Sequence, residues 1–313
     1  MPLLPFLQVD AFTTTPLLGN PAAILLDAQD LNEWQMQTIA REMNLSETAF
    51  VMPSAVADFQ LRFFTPLKEI PLAGHPTVAA VHALIEEERL PLAGWRTKVT
   101  LQVQVGVLRV EVRTRPAMAS LVVMTLQPPE FLDTCPLECV ANALGILPNE
   151  IAEPVQTVST GTPQLMVRLR DPAVLERVQP DFRALTRLTE QGDFFSVHVF
   201  SLNQKEVEEP RPCARHFAPA AGVNEDPVTG SSSGAMGAYL VRYGLLGCPI
   251  FVAEQGRNVG RPRRVYVEVV MREGRIEAVR IAGEVVTVLR GVLDEGGPVR
   301  SAIPRLHGGF LAT

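Results

Sequence analysis

Two stretches of this chain follow one order of elements, and that recurrence constrains the fold more than any other feature. Arg62-Phe63-Phe64-Thr65-Pro66 parallels Arg215-His216-Phe217-Ala218-Pro219. Each is followed by an acidic loop, then a glycine, then a helix of small apolar residues. Those helices contain Val78-Ala79-Ala80-Val81-His82-Ala83-Leu84 and Gly234-Ala235-Met236-Gly237-Ala238-Tyr239-Leu240. Alanine and glycine leave room for strands to wrap such a helix closely. The recurrence predicts a duplicated α+β unit: two similar domains, each a mostly antiparallel sheet or barrel around one central helix.

Local patterns agree with a strand-rich chain. Leu4 to Phe12 reads as a strand, followed by the turn Gly19-Asn20-Pro21 and a second apolar run, Ala22 to Leu26. A helix follows, with Asp30 as its cap and Glu33 completing a capping box, and it stops near Asn44. Asp58 to Thr65 reads as a strand. His75-Pro76-Thr77 opens a helix to about Arg89, because proline fits a first helical turn. Val99 to Val112 alternates apolar and polar residues about Gly106, which predicts two strands or one bent strand. Pro116 marks a candidate domain boundary in the segment 113–117. In the second half, a helix is expected from about Ser232 to Tyr243, and strands near 250–254, 265–271 and 276–281.

Composition narrows the class without naming an activity. The chain has 313 residues, 47% hydrophobic and 20% charged, which fits a folded globular protein. A net charge of −6 argues against a nucleic-acid partner. No run approaches the roughly 20 apolar residues of a membrane helix, so no membrane partner is expected. The start, with Asp10 interrupting it, lacks the pattern of a secretory signal. Four cysteines, Cys135, Cys139, Cys213 and Cys248, make no disulfide framework at this length. A cytoplasmic location is the expectation.

Three loops carry groups suited to chemistry. They are Asn44-Leu45-Ser46-Glu47-Thr48, Leu72-Ala73-Gly74-His75-Pro76-Thr77 and Glu225-Asp226-Pro227-Val228-Thr229-Gly230-Ser231. The last two lead into helix N-termini, whose free N–H groups and partial positive charge bind a carboxylate or an enolate-like oxyanion. Related halves would turn both helix ends toward one cleft. Taken singly, each residue has an ordinary structural reading: Asp226 caps a helix, Ser46 ends one, Glu47 is a solvated carboxylate and His75 is an N-cap.

Together these motifs resemble the PhzF family of phenazine-biosynthesis-like proteins. Asn44-Leu45-Ser46-Glu47-Thr48-Ala49-Phe50, Gly74-His75-Pro76-Thr77 and Glu225-Asp226-Pro227-Val228-Thr229-Gly230-Ser231 carry the likeness. Val9-Asp10-Ala11-Phe12, Gly19-Asn20-Pro21-Ala22, Gln255-Gly256 and Val259-Gly260-Arg261-Pro262 extend it along the chain. The resemblance implies the diaminopimelate-epimerase fold with its site between two domains. The chain would return to the first domain near Gly283, giving domains of 1–117 plus 283–313 and 118–282. It also implies an isomerase similar to trans-2,3-dihydro-3-hydroxyanthranilate isomerase, moving a proton on a small, carboxylated metabolite without a metal or organic cofactor. Glu47 would be the general acid/base. His75 and Asp226 would assist proton delivery or positioning. Ser46, Gly74, Gly230 and Ser231 would hold the substrate. A homodimer follows from the resemblance alone, and no sequence feature points to it.

Departures and rivals complete the reading. Diaminopimelate epimerases use two thiols; Ala73 and Thr229 stand near those places, so a two-thiol epimerase is disfavoured. Cys135 and Cys139 lack the companion ligands of a metal site. Gly230-Ser231-Ser232-Ser233-Gly234 fits the serine-hydrolase pattern with Ser232 as nucleophile. However, Asn224 to Pro227 is a poor strand and only His307 follows in sequence. A non-catalytic small-molecule binder on the same fold is the other alternative.

Overall fold

The computed structural model describes residues 3–203 and 211–294. The first repeat runs β1 (Leu3–Ala11), β2 (Asn20–Leu25), α1 (Glu33–Met43), β3 (Glu47–Met52), β4 (Phe59–Phe64), β5 (Glu69–Ile70), α2 (Gly74–Glu86), β6 (Arg96–Val103), β7 (Gly106–Arg115) and β8 (Met118–Leu126). After β9 (Glu130–Thr134) and α3 (Leu137–Leu144), the second runs β10 (Ile151–Ser159), β11 (Pro163–Leu169), α4 (Pro172–Arg177), α5 (Phe182–Gln191), β12 (Ser196–Asn203), β13 (Arg211–Ala218), β14 (Val223–Asp226), α6 (Gly230–Arg242), β15 (Ile250–Gln255), β16 (Arg263–Arg272) and β17 (Arg275–Gly283). A last strand, β18 (Val285–Asp294), pairs antiparallel with β1. Of the segment expected to return to the first domain, residues 295–313 lie outside the described residues.

Strand pairing shows the duplication directly. β2 is parallel to β3 as β11 is to β12, and β4 is parallel to β6 as β13 is to β15. The intervening pairs, β3–β4 and β12–β13, are antiparallel. A bidentate clamp recurs at the same place in each copy. Arg62 Nε and Nη2 each donate to Glu69 at 2.7 Å, and Arg215 Nε and Nη2 each donate to Glu225 at 2.8 Å. These fork-to-fork bonds hold β5 and β14, the short strands that lead to the two central helices. The recurring Arg-Phe-Phe and Arg-His-Phe motifs are therefore equivalent positions of one unit.

Both central helices are buried on nearly every side. From Gly74 to Leu84 only His82 of α2 is less than fully buried, and in α6 Ser232 to Leu240 are all buried. A helix apolar all round must be enclosed, and here β-strands supply the enclosure: α2 packs on β1, β2, β3 and β8, and α6 on β10, β11, β16 and β17. Small residues permit that approach. A Cβ on Gly237 would lie 2.8 Å from Val267 Cγ1, closer than real carbons sit.

Several local expectations shift. The N-cap of α1 is Asn32, boxed with Gln35, because Ala28 to Asp30 forms a 3-10 turn and delays the helix. Asn44 closes α1 in the left-handed region, φ 50°, which asparagine tolerates. α6 starts at Gly230, two residues earlier than expected. Val223–Asp226 is a true strand, held to β13 by the Arg215–Glu225 clamp despite its polar sequence. Of the segment 113–117, Arg113 to Arg115 end β7 and Pro116-Ala117 form the tight turn to β8, which pairs with β7 on one side and β17 on the other. Among the described residues no helix is long and apolar enough to cross a membrane.

Candidate active site

The N-termini of α2 and α6 meet head to head. A Cβ on Gly74 would lie 3.2 Å from the Ser231 backbone nitrogen. Neither helix has a side-chain cap: Ala73 cannot supply one, and Thr229 does not. The hydroxyl of Thr229 is turned to Asp226 instead, in a very short hydrogen bond. The free N–H groups of both first turns thus stay available.

A cavity of about 50 Å³ lies there, lined by Glu47, Gly74, His75, Asp226, Gly230 and Ser231 among others. Six of the seven residues expected from the sequence therefore share one cavity. Ser46 is the exception. It lines a separate cavity of about 350 Å³ with Asn20 and Arg261, and touches the site through Glu47 and through His75 Nε2 at 3.5 Å. Gly230 also has a packing role, because a Cβ there would strike Ile281 and Phe12 at 2.6 and 2.8 Å. A volume of 50 Å³ holds a few waters. A larger cavity of about 600 Å³, against Thr13, Arg257 and Tyr266, contains neither Glu47 nor Asp226.

Glu47 opens β3 immediately after the α1 turn. Burial, reinforced by the nearby charge of Asp226, pushes its carboxyl up to about 8 against the weaker opposing hydrogen bond of Ser46. Its Oε2 lies 3.3 Å from His75 Nε2 but has no hydrogen-bond partner. Burial drives His75 down to about 3, so the ring is neutral at pH 7. Glu47 and His75 therefore meet as neutral groups and form no ion pair. Asp226 ends β14 and is raised to about 6 by burial, held back by bonds from Thr229 and Asn20.

Asn20 and Gln255 join this set although sequence reasoning gave them no site role. Asn20 Nδ2 donates to Asp226 Oδ1 at 2.8 Å and Val228 O at 2.7 Å, and lies 3.1 Å from His75 Nδ1. It ties the two halves of the site together. Gln255 Nε2 donates to Asp226 O at 2.7 Å. Both are almost wholly buried, and buried amides of this kind need partners. Their presence beside a turn and at the end of an apolar strand was the available signal.

The four cysteines are free, and none lines the cavity. Among the described residues no three His, Cys, Asp or Glu side chains gather as a metal site. Ser232 is buried inside the first turn of α6, 3.0 Å from His216 Nδ1. His216 Nδ1 also faces His198 Nδ1 at 3.3 Å, so Ser232 and His198 meet one ring nitrogen, whereas a hydrolase triad places serine and a carboxylate on opposite nitrogens. His307 lies outside the described residues.

The phenazine biosynthesis-like family, PhzC-PhzF, matches residues 9–291. The chain belongs to the PhzF family. Trans-2,3-dihydro-3-hydroxyanthranilate isomerase of Pseudomonas chlororaphis is 33% identical, over 92% of this chain and 98% of its own. An uncharacterized isomerase of Clostridium acetobutylicum is 35% identical over 91% and 96%. A PhzF-family crystal structure from Bacillus anthracis superposes with a TM-score of 0.80 at 32% identity, covering 94% and 99%. This PhzF-family chain is an isomerase. A hydroxyproline epimerase of Agrobacterium vitis, with 12% identity, a TM-score of 0.64 and coverage of 93% and 92%, shares the fold. PhzF members and that epimerase thus share one architecture, and here Ala73 and Thr229 line the cavity where no thiol does.

Proposed function

We propose that this isomerase moves a proton between two carbons of a small carboxylated metabolite, with Glu47 as the carrier and no metal or organic cofactor. The observation that carries the reading is the state of Glu47. It is a buried carboxyl raised to about 8, with one oxygen unpartnered, in a cavity shared by two uncapped helix N-termini. A group whose proton affinity sits near working pH can both give and take a proton. The helix ends oppose it with fixed positive dipoles, which suit a substrate carboxylate and the negative charge that develops on proton removal. Neutral His75, 3.3 Å away, flanks the Glu47 carboxyl, and burial together with the charge of Asp226 raises its proton affinity. Gly74, Gly230 and Ser231 bring their backbone N–H groups to the substrate, and Ser46 braces His75.

The small cavity supports a cycle of opening and closing. The proposed domains, 1–117 plus 283–313 and 118–282, part to admit substrate and close to exclude water. The proposal includes a cytoplasmic enzyme, in keeping with four free cysteines, and a homodimer on the family resemblance alone. It acts on a free small molecule, with no nucleic-acid or membrane partner.

The test uses trans-2,3-dihydro-3-hydroxyanthranilate, the compound in the name of the Pseudomonas relative, in D2O with NMR detection of its C–H signals. Wild type is expected to wash deuterium into the probe. Glu47→Gln is expected to lose about 10²–10⁴-fold in that rate while melting as a folded protein. Equal exchange by both proteins would sink the assignment.

A further inference from the structure

One wall of the cavity is polar without an internal reason to be. Gln164 on β11 and Ser196 on β12 are direct register partners in a parallel pair, so their side chains stand on one face of the sheet. Both line the cavity with Glu47 and Asp226, and they are 2% and 0% exposed. Gln164 Nε2 donates to Ser231 Oγ at 3.1 Å, which turns Oε1 away as a free acceptor. Gln164 Oε1 and Ser196 Oγ are both buried without any hydrogen-bond partner. Farther along the same face Met166 stands opposite His198, whose Nδ1 faces His216 at 3.3 Å, and Phe200 stands opposite Arg168, so Gln164 and Ser196 are the pair that borders the cavity. Buried polar atoms are normally paired, so two adjacent orphans at the cavity end call for a partner from outside the chain.

We infer that Gln164 and Ser196 form a recognition wall for a hydrogen-bond-donating substituent, a hydroxyl or amino group, on the carboxylated substrate. The helix ends are donors and take the carboxylate. The wall supplies the opposite polarity, an amide oxygen and a hydroxyl, and so takes an N–H or O–H. A substrate bearing both groups is fixed at two points with the reacting carbon beside Glu47. A simple carboxylate is held at one. The inference rests on the proton-shuttle reading of the same cavity, and it separates from that reading because binding can be measured without proton transfer.

The experiment is calorimetric titration of the full chain with benzoate, 3-hydroxybenzoate and 2-aminobenzoate, planar carboxylates that differ by one donor. Wild type is expected to bind at least one donor-bearing probe about tenfold tighter than benzoate. In Ser196→Ala and Gln164→Leu that advantage falls to about twofold or less, with benzoate affinity unchanged. Gln164→Asn, which keeps an amide on the wall without adding a charge, retains part of the advantage and guards against a folding defect in Gln164→Leu. Equal affinities in wild type, no binding of either donor-bearing probe, or an advantage that survives both truncations overturns the wall. Glu47→Gln keeps the advantage in all cases where the wall is correct. If Glu47→Gln still exchanges deuterium while the advantage is intact, the shuttle fails and the wall stands.

Discussion

Glu47 and Asp226 reach one cavity from non-equivalent places of the duplicated unit, the start of β3 and the end of β14, and they are held in opposite ways. Asp226 accepts from Asn20 and Thr229, bonds that favour its ionised form. Glu47 has one oxygen with no partner and feels the charge of Asp226. The result is a carboxyl near 8 and another near 6 in one small cavity. In the proposed mechanism such a pair divides its duties by environment: fixed donors favour the charge on one, and burial favours the proton on the other. The duplicated fold supplies two equivalent helix ends. The difference between the two carboxyls comes from the side chains that reach only one of them.

Removing the fixed member gives the largest expected effect on this contrast. Asp226→Asn keeps the shape and lets an amide face Thr229. The rate of deuterium exchange is expected to fall about 10²-fold or more. The charge that helps raise Glu47 is also gone, so its apparent pKa falls and the corresponding limb of the pH–rate profile moves to lower pH. A profile that keeps its position would show that Asp226 does not set the proton affinity of Glu47.

Stability between pH 6 and pH 8 reads mainly the mobile member, because Asp226, raised from 3.8 to about 6, makes its own contribution in the same sense mostly below that window. The folded pKa of Glu47 is raised from 4.5 to about 8, so above pH 4.5 the native state holds a proton that the unfolded chain has lost. This carboxyl therefore makes stability fall as pH rises between those values, and the fall ends above 8. Glu47→Gln removes the titration. Relative to wild type, the variant is expected to gain about 2–3 kcal/mol between pH 6 and pH 8. Urea unfolding at the two pH values measures it. His75, lowered from 6.5 to about 3, acts in the opposite sense between those values and is common to both proteins. Parallel pH dependences would mean that Glu47 is not buried as a proton holder.

Much of this arrangement was legible in the sequence, for identifiable reasons. The two Ala/Gly-rich helices and their leading Arg-Phe and Arg-His motifs are contiguous patterns, so the duplicated unit could be read from order alone. Gly74, His75, Asp226, Gly230 and Ser231 sit at helix starts, where local signals are strong. What could not be read depends on chain segments far apart. Asn20 meets Asp226 across 206 positions, and Gln164 meets Ser231 across 67. Asn224 to Pro227 resembles a loop, and only the Arg215–Glu225 clamp makes Val223–Asp226 a strand. The cap of α1 was misplaced because a 3-10 turn offered by Ala28 to Asp30 competed with the helix start.

The smallest expected effects separate the two helix-start glycines, which look alike in sequence. Gly230 is needed by the packing, since an added methyl meets Ile281 Cδ1 at 2.6 Å and the Phe12 ring at 2.8 Å. Gly230→Ala is expected to cost about 1–2 kcal/mol, the ordinary cost of overfilling a tight core, and thermal melting reads it. At Gly74 the same methyl meets the Ser231 backbone at 3.2 Å, a contact that a shift of a few tenths of an ångström relieves. Gly74→Ala is expected to cost under about 1 kcal/mol in stability, at the low end for surplus volume. It pushes the two helix ends apart, however, so deuterium exchange falls by more than the melting shift explains. If both variants lost stability alike and kept their exchange rates, the meeting of the two helix ends would be a matter of packing alone.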